Sequence, residues 1–389
     1  MNRKPKLIRA CTVSESISFV APMIPELLRE YEVCVLTSPG KYWDSLDRYG
    51  EAVRRIEVPM ERHISPLRDL RSLWRLVRVF RRERPTIVHS MTPKAGLLCM
   101  MAAWMCRVPV RVHTFTGLVF PTATGLTRRI LMLTDGITCA CATHIIPEGE
   151  GVRSDLLNHG ITRKPIRVLG YGNCRGIDLQ RFDSSLPEIE AAAAPLHQEG
   201  VFTFVFVGRL VRDKGINELV AAFERLHSEL PATRLILVGP EEPELDPLLP
   251  ETVQRIKDNP AIEAPGSQSD VRPWLAASDA LVFPSYREGF PNVVIEAGAM
   301  GLPSIVTDIN GSREIISDGV NGLIIPPRDA DALYSAMHRF ATSPELVTTL
   351  ASNARPRIAA RYEQGFVRRC LLDFYKQILT HDSPHENQS

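Results

Sequence analysis

Short apolar runs alternate with segments of helical periodicity along most of the chain, and this pattern predicts an α/β protein. A helical pattern follows most of the runs. The runs that we interpret as strands are residues 7–13, 33–37, 86–89, 110–113, 144–146, 166–169, 201–207, 234–238, 280–283, 304–307 and 323–326. Because strands and helices alternate in two successive series, we expect two domains, each built on a parallel sheet.

The domain boundaries are predicted from changes in composition. We expect an N-terminal Rossmann-like domain over residues 1–183, a Ser-, Pro-, Glu- and Ala-rich linker or peripheral helix over 184–200, and a C-terminal Rossmann-like domain over 201–365. Residues 366–389 are expected to form a helix returning towards the N-terminal domain, followed by a polar, disordered tail from His381. Parallel sheets bind ligands at the carboxyl ends of their strands, so we expect the two domains to face one another across a ligand-binding cleft.

The stretch Phe283–Met300 carries the densest candidate chemistry. A loop follows an apolar run there, and helical spacing resumes near Pro291, a residue that suits the first turn of a helix. The free N–H groups of a helix N-terminus attract phosphate. Glu288 lies in the loop, and Glu296 lies about two turns into the predicted helix. Because carboxylates repel phosphate, we expect these two residues to contact hydroxyl groups, as on a ribose or a sugar.

Two cations follow a very apolar predicted strand, residues 201–207. The sequence after it is GRLVRDKG, in which four residues separate Arg209 from Lys214. Gly208 permits a turn at the end of the strand, so we expect both cations in one crevice. Arginine binds a diphosphate as a planar fork and lysine binds it as a point charge. The segment therefore predicts a phosphate-binding loop.

Together these motifs resemble glycosyltransferase family four, a family of retaining enzymes with the GT-B fold. The resemblance rests on the E-x7-E spacing of Glu288 and Glu296 within SYREGFPNVVIEA, and on GRLVRDKG. It implies that Arg209 and Lys214 hold the donor diphosphate, that Glu288 contacts the donor sugar with a catalytic role, and that Glu296 contacts the ribose. The other implied donor contacts are Gly266, Gly289, Phe290, Pro291, Asn292 and Val293.

Further candidates follow the predicted strands of the N-terminal domain. His113 ends a strand in the segment HTFTG, and the resemblance implies that it faces the donor sugar as a catalytic residue. A single histidine taken alone is more often structural. The expected contacts in the acceptor-side loops are Ser14, Ser16, Thr116 and Gly117. For the serine segment, a helix N-cap is an equally good interpretation.

Composition narrows the class of protein. The chain has 389 residues and a formal net charge of +1, so a general affinity for nucleic acid has no electrostatic support. Its 8 cysteines contain no C-x-x-C pair, which predicts neither a zinc site nor a disulfide framework and fits a reducing cytosol. Asp329 and Asp331 precede a helical pattern and are expected to cap that helix rather than bind metal. We therefore expect no metal and no cofactor beyond a nucleotide-sugar co-substrate.

A basic amphipathic helix is predicted over residues 68–84. It carries seven arginines against two acidic residues. Such a helix either contacts an anionic membrane, holds a diphosphate, or presents a solvated basic face to water. Its apolar stripe, which we expect to face the core, consists of Leu70, Leu73, Trp74, Val77 and Phe80.

The sequence thus predicts a retaining, metal-independent hexosyltransferase that moves a sugar from a nucleotide diphosphate, expected to be UDP, to a glycan. The resemblance is strong over residues 204–326 and looser over 110–182. It points to bacterial capsule or O-antigen assembly, with a polyprenyl-diphosphate-linked acceptor and a cytoplasmic enzyme peripheral to the plasma membrane. Two alternatives stay open, a nucleotide-sugar epimerase of the same fold and a nucleotide-sugar-binding subunit without turnover. The missing G-x-G-x-x-G disfavours a nicotinamide dehydrogenase.

Overall fold

The computed structural model describes residues 4–61, 65–242, 244 and 246–381. The chain divides into two compact units. One contains the described residues up to Gly176 together with those from Gly365 onward, and the other is Ile177–Gln364. The second unit begins before the boundary at 183 expected from composition, because Ile177 and Phe182 are buried in its core. Residues 382–389 of the predicted tail lie outside the described residues.

The first unit contains a parallel sheet whose strands are β1 (Lys6–Ala10), β2 (Glu32–Thr37), β3 (Val53–Glu57), β4 (Ile87–Met91), β5 (Val110–Phe115) and β6 (His144–Pro147). The helices between and after them are α1 (Ile24–Glu30), α2 (Pro66–Glu83), α3 (Pro93–Met105), α4 (Gly125–Cys141) and α5 (Glu150–Asn158). α2, α3 and α4 lie side by side and bury their apolar residues against one face of the sheet.

The second unit repeats this plan. Its strands are β7 (Phe202–Val207), β8 (Thr233–Val238), β9 (Ile262–Gly266), β10 (Ala280–Phe283), β11 (Ser304–Thr307) and β12 (Gly322–Ile325). Its helices are α6 (Pro187–Ala193), α7 (Ile216–Glu229), α8 (Pro250–Asp258), α9 (Arg272–Ala276), α10 (Asn292–Ala299), α11 (Ser312–Ile315), α12 (Ala330–Thr342) and α13 (Pro344–Tyr362). The central strands are buried along their whole length, which explains their continuous apolar sequences.

A last helix, α14 (Gln364–His381), completes the first unit. Leu371, Phe374 and Tyr375 are buried against strand residues on the sheet face opposite α2, α3 and α4. The chain therefore supplies both faces of the first sheet with helices, as a parallel sheet requires.

Both sheets have the same topology. The orders are β3-β2-β1-β4-β5-β6 and β12-β11-β10-β7-β8-β9, so in each unit the fourth strand pairs beside the first. The order reverses between β1 and β4 in the first sheet, and between β7 and β10 in the second. Sheets of this kind bind ligands at such a switch point, beyond the carboxyl ends of the strands.

One strand prediction is wrong, and two strands of the structure were not predicted. Residues 166–169 form no strand, because Leu169 packs among the side chains that contact α14 instead of pairing along a strand edge. β3 and β9 were not predicted, and both lie at sheet edges. β3 buries only Val53 and Ile56 among charged neighbours, and β9 contains Pro265, so neither has the apolar run of a central strand.

The helical predictions differ in outcome. Asp329 caps α12 by accepting from the N–H of Ala332 over 2.8 Å, which confirms the capping interpretation of that segment. The predicted core stripe of α2 is wrong in part, because Leu70 and Trp74 are 52% and 50% exposed. The apolar residues of α2 that are buried are Leu73, Leu76, Val77 and Phe80. Leu67, Leu70 and Trp74 form a second apolar stripe on the exposed face of the helix.

Candidate functional site

The charged candidates of the second unit meet at its switch point, between the loops that follow β7 and β10. Lys214 Nζ forms an ion pair with Glu288 Oε1, and Ser285 Oγ donates to the same oxygen over 2.9 Å. The Lys214 ammonium also lies 5.3 Å from the centre of the Phe283 ring. The side chains of Lys214 and Glu288 are 14% and 17% exposed, so the pair remains reachable from solvent.

Close backbone approaches hold the loops of this site together. Gly215 has φ 72°, and a Cβ there would lie 2.2 Å from the carbonyl oxygen of Pro284. Gly311, after β11, has φ 74°, and a Cβ there would lie 2.6 Å from the carbonyl oxygen of Gly289. A side chain fits at neither position, so these glycines fix the loops around Glu288.

Asp213 joins the same two loops, although the sequence analysis gave it no role. Its carbonyl oxygen accepts from the N–H of Tyr286 over 2.9 Å, and its carboxylate pairs with Arg287 at 3.1 Å. Ser285, also missed, donates to Glu288 as described above. The signal that could have found both residues is their position directly after buried strands at the switch point.

Arg209 lies on the β7 loop with a counter-charge of its own. Its Nη1 is 2.7 Å from Oε2 of Glu242, a residue in the loop after β8. The side chains are 44% and 29% exposed respectively. Both cations of GRLVRDKG are therefore placed after β7, and each is paired with a carboxylate. The sequence analysis missed Glu242, because nothing in the segment GPEE distinguishes it from an ordinary surface acid.

Helix α10 begins at Asn292, with Pro291 as its N-cap residue. Glu296 is the fifth residue of this helix, about one turn in, whereas the sequence placed it two turns in. Phe290 is 5% exposed and packs edge-on against Tyr362 with ring centres 5.5 Å apart. The Phe290 side chain therefore supports the loop from the core side, and its backbone is the part near the helix N-terminus.

The remaining donor-side candidates lie at the ends of other elements. Gly266 ends β9 with φ 75°, and its carbonyl oxygen accepts from the N–H of Gly239 over 3.0 Å. Val293 is half-buried in the first turn of α10. The donor contacts expected of these residues stay predictions.

His113, the candidate from the first unit, is enclosed in that unit's core. Its ring is 1% exposed, Nδ1 lies 2.8 Å from Ser90 Oγ, and the ring packs edge-on against Phe115. A Cβ on Gly96 of α3 would lie 2.4 Å from Cε1 of the ring, so that glycine makes room for the imidazole. Burial lowers the pKa of His113 to about 3. The ring is therefore neutral near pH 7 and almost fully shielded from solvent, and the contact with the donor sugar expected of it stays a prediction.

The candidate residues of the acceptor-side loops are also buried or half-buried. Ser14 and Ser16 are 3% and 8% exposed, within a 3₁₀ turn over Ser14–Phe19. The residue in the cap position is Val13 and no side-chain cap forms, so the N-cap interpretation is wrong. Thr116 and Gly117 are half-buried after β5. Their contacts with an acceptor stay predictions.

Neither a metal-binding group nor a membrane-spanning helix is found among the described residues. Among residues 4–61, 65–242, 244 and 246–381, no group of three or more His, Cys, Asp or Glu side chains is arranged to hold a metal ion. Over the same ranges, no helix is both long and apolar enough to cross a membrane.

Comparison with known proteins gives the class of the chain. The model of the "Glycosyl transferase 4-like domain" matches residues 19–172, and that of "Glycosyl transferases group 1" matches residues 201–343. The crystal structure of HepE from Anabaena in complex with UDP superposes with a TM-score of 0.79 at 17% identity, covering 96% of this chain and 100% of that chain. The two units, with their shared strand order, thus have the architecture of the GT-B glycosyltransferases.

Sequence relatives are more specific. The chain is 30% identical to the capsular polysaccharide biosynthesis glycosyltransferase CapM of Staphylococcus aureus, over 97% of this chain and 98% of the relative. It is 28% identical to the UDP-Gal:alpha-D-GlcNAc-diphosphoundecaprenol alpha-1,3-galactosyltransferase of Escherichia coli, over 82% of each. The protein belongs to this family of bacterial polysaccharide glycosyltransferases, which confirms the resemblance.

Proposed function

We propose that the protein transfers a sugar from a UDP-sugar, with retention of configuration and without a metal, to a polyprenyl-diphosphate-linked glycan. The observation that carries this proposal is the group at the second switch point, where Lys214 pairs with Glu288 and Arg209 lies on the same loop as Lys214. The activity for which the Escherichia coli relative is named supports both the UDP donor and the lipid-linked acceptor. The expectation of a role in capsule-like polysaccharide assembly rests on the Staphylococcus aureus relative, and that of cytoplasmic action rests on the unpaired cysteines of the sequence.

The reaction requires that negative charge be stabilised on the departing diphosphate. The bond between C1 of the sugar and the β-phosphate oxygen breaks, an acceptor hydroxyl bonds to C1, and its proton passes to the departing phosphate. Arg209, Lys214 and the N–H groups at the start of α10 supply preorganised positive charge for this step. The cations hold the diphosphate without a metal, and the leaving phosphate serves as the base.

The carboxylates take the hydroxyl contacts. Glu288 would exchange its ion pair with Lys214 for sugar hydroxyls when the diphosphate takes over the ammonium. Glu296 would hold the ribose from its position one turn into α10. The buried ring of His113 is given no step in this scheme.

A transfer assay tests the proposal. The protein is incubated with UDP-glucose, UDP-galactose or their N-acetyl forms, with a diphosphoundecaprenol-linked sugar as acceptor and with EDTA throughout. We expect UDP release only when the acceptor is present, and an α-linked product from the α-donor by NMR. UDP-sugar interconversion without acceptor would instead indicate an epimerase. Neither turnover nor UDP binding with any donor would overturn the proposal.

An exposed apolar face on the first unit supports contact with a membrane, for which the basic helix α2 was the predicted element. Leu67 and Trp74 on α2, Trp104 on α3, and Leu126 and Leu133 on α4 are between 50% and 76% exposed. On α4 the exposed positions recur at helical spacing, so they form a stripe on the side away from the sheet. Three adjacent helices thus offer one apolar layer to the outside.

The charges around this face fit an anionic bilayer. α2, α3 and α4 carry eight arginines, and their acidic residues are Asp69, Glu83 and Asp135. None of these three is exposed: Asp69 pairs with Lys94, Glu83 is buried among Lys6, Arg54 and Arg82, and Asp135 is half-buried. A second copy of the chain would present the same positive charge, so lipid phosphate is the better partner.

Vesicle flotation tests the membrane contact. Vesicles containing phosphatidylglycerol should carry the protein at low salt, and pure phosphatidylcholine vesicles should carry less of it. The L126S/L133S double variant should lose flotation at least several-fold, whereas L249S, at an exposed leucine of the second unit, should not. Equal flotation of all three proteins, or none for the wild type, would remove the membrane contact from the account.

A further inference from the structure

The loop after β8 is pinned to the phosphate-binding loop after β7. The N–H of Leu210 donates to the carbonyl oxygen of Pro240 over 2.8 Å, and the N–H of Asp213 donates to the carboxylate of Asp246 over 2.7 Å. Arg212 adds an ion pair to Asp246 at 3.2 Å. The two loops are therefore held together on either side of Glu242.

This pinning gives Glu242 a fixed place beside Arg209. The carboxylate and guanidinium are 2.7 Å apart, although both side chains stay partly exposed. An ion pair at a partly solvated position contributes little stability, because solvent screens it. The contact is therefore easily exchanged for another anion, and it has no evident importance for the fold.

We propose that Glu242 is an internal competitor of the donor diphosphate, which takes Arg209 back when the nucleoside diphosphate leaves and so speeds product release. This inference rests on the proposed function of the site. Arg209 cannot satisfy a diphosphate and Glu242 with the same donor groups. When the diphosphate binds, Glu242 turns towards solvent but stays near the ligand, because Pro240 before it and Asp246 after it are hydrogen-bonded to the loop after β7.

The sign of the effect follows from charge. UDP carries one more negative charge than the UDP-sugar once the departing phosphate has lost the proton that it accepted, because the phosphate ester that carried the sugar is then a free phosphate terminus. The nearby carboxylate of Glu242 therefore repels the product UDP more than the substrate UDP-sugar. A residue that disfavours product over substrate keeps the site from being inhibited by its own product. Glu242 is thus a positioning residue that acts through Arg209.

A charge series of ligands tests this role in the full-length protein. Dissociation constants of uridine, UMP, UDP and a UDP-sugar are measured by calorimetry for the wild type, E242Q and E241Q. Glu241 is the adjacent exposed acid and serves as the matched control. For E242Q we expect an unchanged affinity for uridine, and a gain that rises with ligand charge to roughly three- to tenfold for UDP.

Kinetics separate this role from a structural one. E242Q should release UDP more slowly in stopped-flow displacement, and its product inhibition by UDP should tighten more than its KM for the donor falls. An equal change for uridine, an equal change in E241Q, or weaker UDP binding in E242Q would each overturn the inference. Failure of the wild-type protein to bind UDP would instead overturn the proposed function, so the two failures are distinguishable.

Discussion

The two switch points of this chain share a topology and differ in chemistry. In the first unit, the loops after β1 and β4 are closed by their own side chains: Thr12 Oγ1 lies 2.7 Å from Thr92 Oγ1, and it accepts from the N–H of Ala95 over 3.1 Å. In the second unit, the equivalent loops carry Lys214 and Glu288, whose side chains remain partly exposed. At the first switch point, hydroxyl groups hydrogen-bond the two loops to each other. At the second, the loops carry a partly exposed ion pair whose partners a ligand can exchange.

This difference shows that strand order alone does not make a binding site. Both sheets offer a crevice at the carboxyl ends of their strands. The second switch point carries the partly exposed Lys214–Glu288 pair, Arg209 on the same loop as Lys214, and the start of α10, a combination suited to a diphosphate. The first unit instead carries exposed apolar side chains and arginines on the outer faces of α2, α3 and α4. Function in this protein therefore follows the residues placed on each fold, rather than the fold itself.

The sharpest test of the comparison removes the ammonium from the second switch point. K214A should lower kcat/KM by roughly 10²–10³-fold, because a preorganised positive charge is lost where the diphosphate charge develops. The measurement is a transfer assay with the UDP-sugar donor. K257A, at an exposed lysine of α8 in the same unit, is the control and should keep wild-type turnover. Near-normal activity of K214A would take this lysine out of the site.

The corresponding test in the first unit concerns His113. H113Q should destabilise the protein by about 1–3 kcal/mol, because a buried hydrogen bond and ring packing are lost. Its affinity for UDP should stay within about twofold of wild type if the ring serves only the core. Urea unfolding and calorimetry measure the two effects. Normal stability of H113Q together with a hundredfold loss of turnover would instead support the catalytic role that the family resemblance implies.

The same variant should change the acid response. The folded-state pKa of His113 is about 3, below the usual value for an exposed histidine, so the unfolded chain binds the proton more tightly. His113 therefore costs the wild type stability as the pH falls from about 6.5 towards 3. H113Q should lose stability less steeply across that window. An identical slope in both proteins would show that the ring titrates normally.

A comparable predicted effect on stability has the opposite dependence on pH and concerns α4. Burial raises the pKa of Asp135 to about 7. The folded protein therefore binds the Asp135 proton more tightly than the unfolded chain, and stability from this group is lost as the pH rises from about 4 to 7. D135N should be more stable than wild type at pH 8 by roughly 1–3 kcal/mol, with a smaller gain at pH 5. A pH-independent difference in urea unfolding would contradict this assignment.

The sequence predicted all of the central strands and two of the four edge strands. Strands such as β7 and β10 are buried on both faces, so their continuous apolar runs identify them. β3 and β9 lie at sheet edges, where fewer apolar residues are needed, and both escaped prediction. Two of the four edge strands thus escaped the hydrophobic pattern, whereas the edge strands β6 and β12 were predicted from it.

For the candidate sites, the sequence indicated the charged residues near strand ends but not the residues that pair with them. Arg209, Lys214 and Glu288 lie within a few residues of strand ends, where local sequence fixes their position. Their partners, Glu242 above all, come from a different loop, and only the folded chain shows the pairing. The exposure of Leu70 and Trp74 could not be predicted from the sequence either. Whether an apolar residue on a helix is buried depends on which other elements pack over it.

Nucleotide binding tests the central claim most directly. The melting temperature is measured with UDP, GDP and ADP, each with and without EDTA, for the wild type, R209A and K214A. We expect a rise with UDP that exceeds the rise with GDP or ADP, persists in EDTA, and is lost or strongly reduced in both variants. No rise with any nucleotide, or a rise that both variants retain, would contradict a diphosphate site at the second switch point.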